Sequence, residues 1–240
     1  MEWRWTSFEE VKRKMKVLIF DSSALISLTM NGLLEEFKEL KKVFPGKFII
    51  PREVKEEVVN KPLKIKRFEL EAIKIEELIK ERVLELPEEI EVNSNRISKE
   101  TNNLLQIANS TFFEKSGKGI HLIDSGETAC LALSQILNKT GVDNAIVVDE
   151  RTTRLLSERP ENLRKLLIKK IHTEIRMKKS NLKQFSGIKM VRSAELMFIA
   201  YKKGLMRLKG KNTLDAVLYA LKFKGCAISG KEIEDLKRLG

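Results

Sequence analysis

Apolar and polar positions fall along the chain in blocks that read as short buried strands separated by amphipathic helices. Residues 16–21, KVLIFD, are an apolar run that ends in a carboxylate, and such continuous runs suit a strand covered on both faces. Over 23–42 the apolar positions recur every three to four residues, which predicts a helix. KFIIP at 47–51 predicts a second strand, and Pro51 suits the first turn of a helix over 52–60. An amphipathic helix over 63–82, a third strand RVLEL at 82–86 and a polar helix-like stretch over 94–118, ending in the loop KSGKG, follow. GIHLID at 119–124 leads into SGETACLALSQILN, a helix entered through Gly126. NAIVVDE at 144–150 predicts a fourth strand, again ending in an acid, and GIKMV at 187–191 a fifth. The stretch 159–185 predicts one or two helices with little apolar surface, and helices over 193–203, 212–224 and 230–238 close the chain. Residues 1–15, with Trp3, Trp5 and Phe8, are expected to form a short helix or arm packed on the body.

Strands alternating with helices imply an α/β fold whose parallel sheet is covered on both faces. Ligands of such sheets bind beyond the carboxyl ends of the strands, so the tips carrying Asp21 and Asp149 should share one edge. A buried, unpaired carboxylate costs several kcal/mol or takes up a proton. One such acid is commonly a helix cap, and Asp21, Ser22 or Ser23 can each cap the helix that starts near Ala24. Two in one parallel sheet converge on a single crevice, which like charges resist unless a cation is present. Asp124 and Glu127 flank a glycine turn at a helix start, where each also interacts favourably with the helix N-terminus. Glu53, Glu56 and Glu57 compete as a further candidate just after the second strand. Ligation by carboxylates alone suits Mg²⁺ or Mn²⁺, ions able to activate water and to stabilise a phosphodiester under attack.

Charge sharpens this picture. The net charge is +12, but residues 151–211 hold 18 Lys and Arg against four acids, so the whole positive excess lies in a quarter of the chain. A polyanion is the natural partner, either nucleic acid or an anionic membrane surface, and LRKLLIKKIHTEI has the modest apolar stripe and basic face that the latter requires. Apolar content of 42% with 33% charged residues is globular composition, and the scarcity of Gln beside abundant Lys and Glu resembles a heat-adapted source. Cys130 and Cys226 lack metal-type spacing and read as buried, reduced thiols, while two histidines leave little scope for a His-rich site. No apolar run approaches the roughly 20 residues of a membrane span, and Asp21 interrupts the only stretch resembling a secretory signal. A soluble, cytoplasmic protein is expected.

The order IFDSSAL, IPREVKEEV, DSGETACLALS, AIVVDERTTR resembles a PIN domain, a ribonuclease fold of toxin–antitoxin nucleases and RNA-processing factors. It is most similar to a largely prokaryotic group with a GE-plus-alanine helix and a closing KKGL…IS stretch, here within 202–229. The resemblance implies a three-layer α/β/α core with a central parallel sheet of about four to five strands, covering 16–156 and resuming at 187–240. Residues 157–186 then stand as a basic helical insertion where the family has a short connection. It further implies Mg²⁺ or Mn²⁺ held by Asp21, Glu57, Glu127 and Asp149, with Asp124 auxiliary, Ser23 supporting Asp21 and Glu150 assisting. The implied activity is endoribonucleolytic; the alternative is an RNA-binding module whose site has degenerated. Arg151 and Arg154 would contact phosphate or pair with nearby acids, and Arg164, Lys165, Lys169, Lys170, Arg176, Lys178, Lys179 and Lys183 would grip the RNA backbone. The fold often dimerises, and the added helices would serve RNA binding, a dimer or an antitoxin-type protein partner. Haloacid-dehalogenase chemistry is disfavoured because its second Asp position, two residues after Asp21, is Ser23.

Overall fold

A computed structural model describes residues 15–239. The arm expected over 1–15 therefore falls, but for Met15, outside the described residues. The chain starts with strand β1 (Lys16–Phe20), followed by helices α1 (Ser22–Met30) and α2 (Leu34–Val43), then strand β2 (Gly46–Ile49). Helix α3 (Arg52–Lys55) runs into a π-helical turn (Glu56–Asn60), followed by α4 (Glu69–Lys80), α5 (Ser94–Asn109) and strand β3 (Phe112–Glu114). Helix α6 (Ser125–Lys139), strand β4 (Asp143–Val147), α7 (Arg151–Glu158), α8 (Pro160–Ile171), strand β5 (Ile175–Met177) and the short α9 (Lys179–Leu182) complete the middle. Strand β6 (Met190–Val191) and helices α10 (Ser193–Lys202), α11 (Thr213–Phe223) and α12 (Gly230–Arg238) end the chain.

Four strands, in the order β2–β1–β4–β6, form a central parallel sheet flanked by helices, the three-layer α/β/α arrangement. Both central strands are the apolar runs of the sequence: β1 pairs with β4 from Lys16↔Asp143 to Phe20↔Val147, and the Asp21 N–H extends the ladder to Val147 O at 3.0 Å. Gly46 opens β2 because a Cβ there would stand 2.2 Å from the Lys16 carbonyl oxygen. Phe20, Phe37 and Phe48, all buried, pack ring against ring with centroids 5.0–5.1 Å apart. Cys130 and Cys226 are both free and buried, and among the described residues no helix is long and apolar enough to cross a membrane.

Three elements differ from the pattern-based expectation. RVLEL does not become a strand; it contributes one parallel bridge, Ile49↔Glu85, with Glu85 N–H on Phe48 O at 2.8 Å and Ile50 N–H on Glu85 O at 3.0 Å. The helix-like part of 94–118 runs to Asn109, and ahead of the loop an unexpected strand appears: Phe112–Glu114 pair antiparallel with Ile175–Met177 in a separate two-stranded sheet. The basic stretch is accordingly not helical throughout: α8 ends at His172, whose left-handed backbone (φ 56°) closes the helix, and Ile175 turns inward to bury completely.

Candidate active site

Asp21 stands one residue past the end of β1 and is 1% exposed. Its extended backbone makes it the N-cap of α1, and Oδ2 accepts hydrogen bonds from the Ser23 N–H at 3.0 Å and the Ser23 hydroxyl at 2.5 Å. The capping and support roles read from the sequence are thus one network. Oδ1, by contrast, is buried with no hydrogen-bond partner. Native proteins rarely leave a buried carboxylate oxygen unmatched, because the desolvation goes uncompensated. Burial pushes the Asp21 carboxyl up to about 6; the Ser23 hydrogen bonds oppose this, and the charge of Glu57 adds to it.

Of the three glutamates after β2, Glu53 accepts from the Ser98 hydroxyl at 2.8 Å and Glu56 from the Asn60 amide. Glu57, carried by the π-helical turn, is the one that reaches across to α6, where its Oε1 accepts from the Gly126 N–H at 3.1 Å. Wide turns of this kind re-aim side chains and recur at functional sites. The approach needs glycine: a Cβ at 126 would lie 2.5 Å and 2.7 Å from the two Glu57 carboxylate oxygens. Gly126→Ala should push this carboxylate, the mobile end of a long side chain, out of place while the fold stays intact. The expected result is a loss of any divalent-ion-dependent activity by about ten- to a hundredfold with Tm nearly unchanged. Melting curves and activity assays on the same preparation check it.

Glu127 folds back on its own helix start, accepting from the Asp124 N–H at 2.6 Å. Burial first, then the charges of Asp21, Glu150 and Asp124, raise its carboxyl to about 8, against the lowering effect of the Asp124 N–H. Asp124 itself is exposed and meets His121 Nε2 at 2.7 Å. Glu150 caps α7 through the Thr153 N–H at 2.8 Å, on the side where its charge reaches Glu127.

Asp149 is fully buried, and both of its carboxyl oxygens are engaged at the start of α10: Oδ1 accepts from the Ser193 N–H at 2.8 Å and Oδ2 from the Ser193 hydroxyl at 2.6 Å. Its link to Asp21 runs through the main chain, since the Asp149 N–H donates to the same Ser23 hydroxyl that serves Asp21. The structure therefore draws Asp21, Glu57 and Glu127 into one electrostatic group with Glu150 at its rim, while the Asp149 carboxyl is held on α10. Ser193 had no visible role in the sequence; its only local signal is a small polar residue opening a helix after an apolar strand.

Among the described residues no three His, Cys, Asp or Glu side chains stand close enough to hold a metal ion as positioned. The donor chemistry nonetheless fits a hard divalent cation: an orphaned Asp21 oxygen, neighbouring carboxylates that repel one another, and oxygen atoms alone. Asp21, Glu57 and Glu127 are the residues that would hold it, with Glu127 leaving the Asp124 N–H to do so.

Linkage gives this group a pH signature. The folded state keeps protons on Asp21 and Glu127 that the unfolded chain releases near 3.8 and 4.5. Above those values the unfolded chain binds fewer protons, so stability declines as pH rises, through about 6 for Asp21 and about 8 for Glu127. In EDTA the Tm should therefore fall from pH 5 to pH 8.5, and Glu127→Gln should flatten the upper part of the fall. Mn²⁺ should raise Tm more at pH 8 than at pH 5.5. A Tm that stays flat in EDTA would contradict the assignment.

Around the acids the basic residues divide. Arg151, Arg154, Lys165 and Lys169 line a cleft of about 820 Å³ between α7, α8 and residues 227–232. Arg164 donates from Nε to Ile175 O at 2.6 Å and Arg176 pairs with Glu174, so these two brace β5. Lys170, Lys178, Lys179 and Lys183 are exposed outside the cleft. No family model, curated protein or solved structure gives a significant match to the chain.

Proposed function

We propose that the protein is a PIN-like endoribonuclease that hydrolyses RNA phosphodiester bonds with Mg²⁺ or Mn²⁺. The observation that carries this reading is the Asp21 oxygen, buried without a partner at the carboxyl edge of a parallel sheet and facing the field of Glu57. A bound divalent ion would supply Lewis-acid stabilisation of the scissile phosphate and a nucleophile derived from water. The chain's own residues do the rest. Ser23 fixes the Asp21 carboxyl through Oδ2 and leaves Oδ1 free for the ion. Gly126 admits Glu57 by having no side chain, and its N–H orients that carboxylate. Glu127, held near 8, can carry a proton at neutral pH; it is suited to protonate the leaving oxygen, or would lose that proton to water on taking up an ion. The basic cleft beside α7 supplies attraction for the polymer.

A second reading, an RNA-binding module with a degenerate site, draws on the Asp149 carboxyl, whose oxygens are both taken by Ser193. Incubating labelled RNA with the protein and Mn²⁺, beside the Asp21→Asn variant, separates the two. Cleavage lost in the variant supports the nuclease; equal behaviour of both proteins, with RNA still bound, leaves the module. A cytoplasmic setting, a second copy of the chain or an antitoxin-type partner belongs to the same proposal and draws only on the sequence resemblance.

A further inference from the structure

The cleft between α7 and α8 carries an arrangement that the acidic site does not explain. On one wall Arg151 and Arg154 rise from α7, and Lys165 and Lys169, four residues apart on α8, stand on the same face beside them. Arg159 sits at the junction of the two helices. Arg151, Arg159, Lys165 and Lys169 pair with no acid among the described residues, and the Arg154 Nε is buried without a partner although its guanidinium meets Glu158 at 3.3 Å. The opposite wall, Ala227 to Glu232, is fixed rigidly. Ala227 N–H binds the Asp149 carbonyl at 2.9 Å, and Arg192, itself neutralised by Glu195 and Glu232, holds the Ala227 carbonyl at 3.1 Å. Glu158 and Glu232 also line the cleft but are taken by Arg154 and Arg192, so four cations are left without counter-charge on a concave surface. Their mutual repulsion costs the folded state, and a polyanion removes that cost.

Shape and chemistry narrow the polyanion. The residues are concave, so a bilayer surface, which could lie only on a convex helix face, cannot reach them. The volume of about 820 Å³ suits the backbone of one strand. No Phe, Tyr, Trp or His lines the cleft, so it offers no aromatic ring on which bases would stack. What it offers is guanidinium and ammonium groups for phosphate oxygens. The N-terminus of α7 joins the two regions: Glu150 faces Glu127, and the next residue, Arg151, faces the cleft.

We infer that this cleft holds a single RNA strand by its phosphates, without base recognition, and feeds it past the start of α7 toward the carboxylates. The inference rests on the nuclease reading for the identity of the polymer. Its test is binding in EDTA, so it stands or falls separately from catalysis. Anisotropy of a fluorescent, mixed-sequence single-stranded RNA should show Lys165→Gln/Lys169→Gln binding roughly tenfold more weakly than the parent at low salt. The slope of log affinity against log salt should shrink by about 1.4, the loss of two phosphate contacts at about 0.7 each. Lys64→Gln/Lys74→Gln, which removes the same charge from exposed positions away from the cleft, should bind like the parent. Two strands of different base composition should bind alike, and the duplex form more weakly. Equal losses in both double variants, an unchanged salt slope, preference for duplex, or binding of anionic vesicles in place of RNA would each overturn the proposal. Loss of cleavage in Asp21→Asn with the binding pattern intact supports both readings. Absence of cleavage in the parent with that pattern intact removes the nuclease and keeps the cleft.

Discussion

Asp21→Asn is expected to lower Mn²⁺-dependent RNA cleavage by roughly a thousandfold while the protein remains as stable as the parent or becomes more so. Asparagine keeps a side-chain oxygen to accept from the Ser23 N–H, so the cap of α1 survives. What disappears is the negative charge and with it an ion ligand. A carboxyl held near 6 instead of 3.8 costs the folded state about 3 kcal/mol once it is ionised, and the neutral amide avoids that cost. At pH 8 in EDTA the variant should therefore melt no lower than the parent, and Mn²⁺ should raise its Tm less. Calorimetry beside a cleavage assay reads both quantities. Parental cleavage by the variant would remove the nuclease reading, whereas a lower Tm in EDTA would show Asp21 to be a structural cap that the chain cannot spare.

Asp149→Ala should behave in the opposite way. Its carboxyl oxygens accept from the Ser193 N–H and hydroxyl in a fully buried position, and hydrogen bonds to such a group are worth about 1.5–3 kcal/mol each. Losing both also leaves the start of α10 unsatisfied. A destabilisation of about 3 kcal/mol or more follows, which for a chain of this length lowers Tm by about 6–12 °C. Ser193→Ala should cost about half as much, and the double variant should cost less than the two single changes added together, because they remove one shared contact. An unchanged Tm together with lost Mn²⁺ binding would instead make Asp149 the fourth ligand that the family pattern implies.

The two residues look alike in the sequence, each an acid closing an apolar strand, and the difference between them arises at long range. Asp21 has its partners two residues away, so its cap was legible from DSS. Asp149 meets a serine 44 positions further on, across a crossover that brings β6 beside β4, and no local pattern announces that meeting. The choice of Glu57 over Glu53 and Glu56 similarly depends on a π-helical turn and on the space that Gly126 leaves open on another helix. RVLEL misled because its composition suits a strand, yet the sheet edge offers it one bridge only. The small antiparallel sheet went unseen because each of its strands is three residues long, too short for a period of two to register.

By itself the sequence determined the parallel sheet, its strand-tip acids and the confinement of positive charge to one segment. Continuous apolar runs and lopsided charge are properties of neighbouring residues, and burial or repulsion acts on them wherever the chain goes. Only the tertiary structure decided which acids face one another, which is tied to α10, and which lysines line a cleft. Those outcomes depend on desolvation and on distances of a few ångströms between residues remote in the chain, and such distances do not exist until the helices have packed.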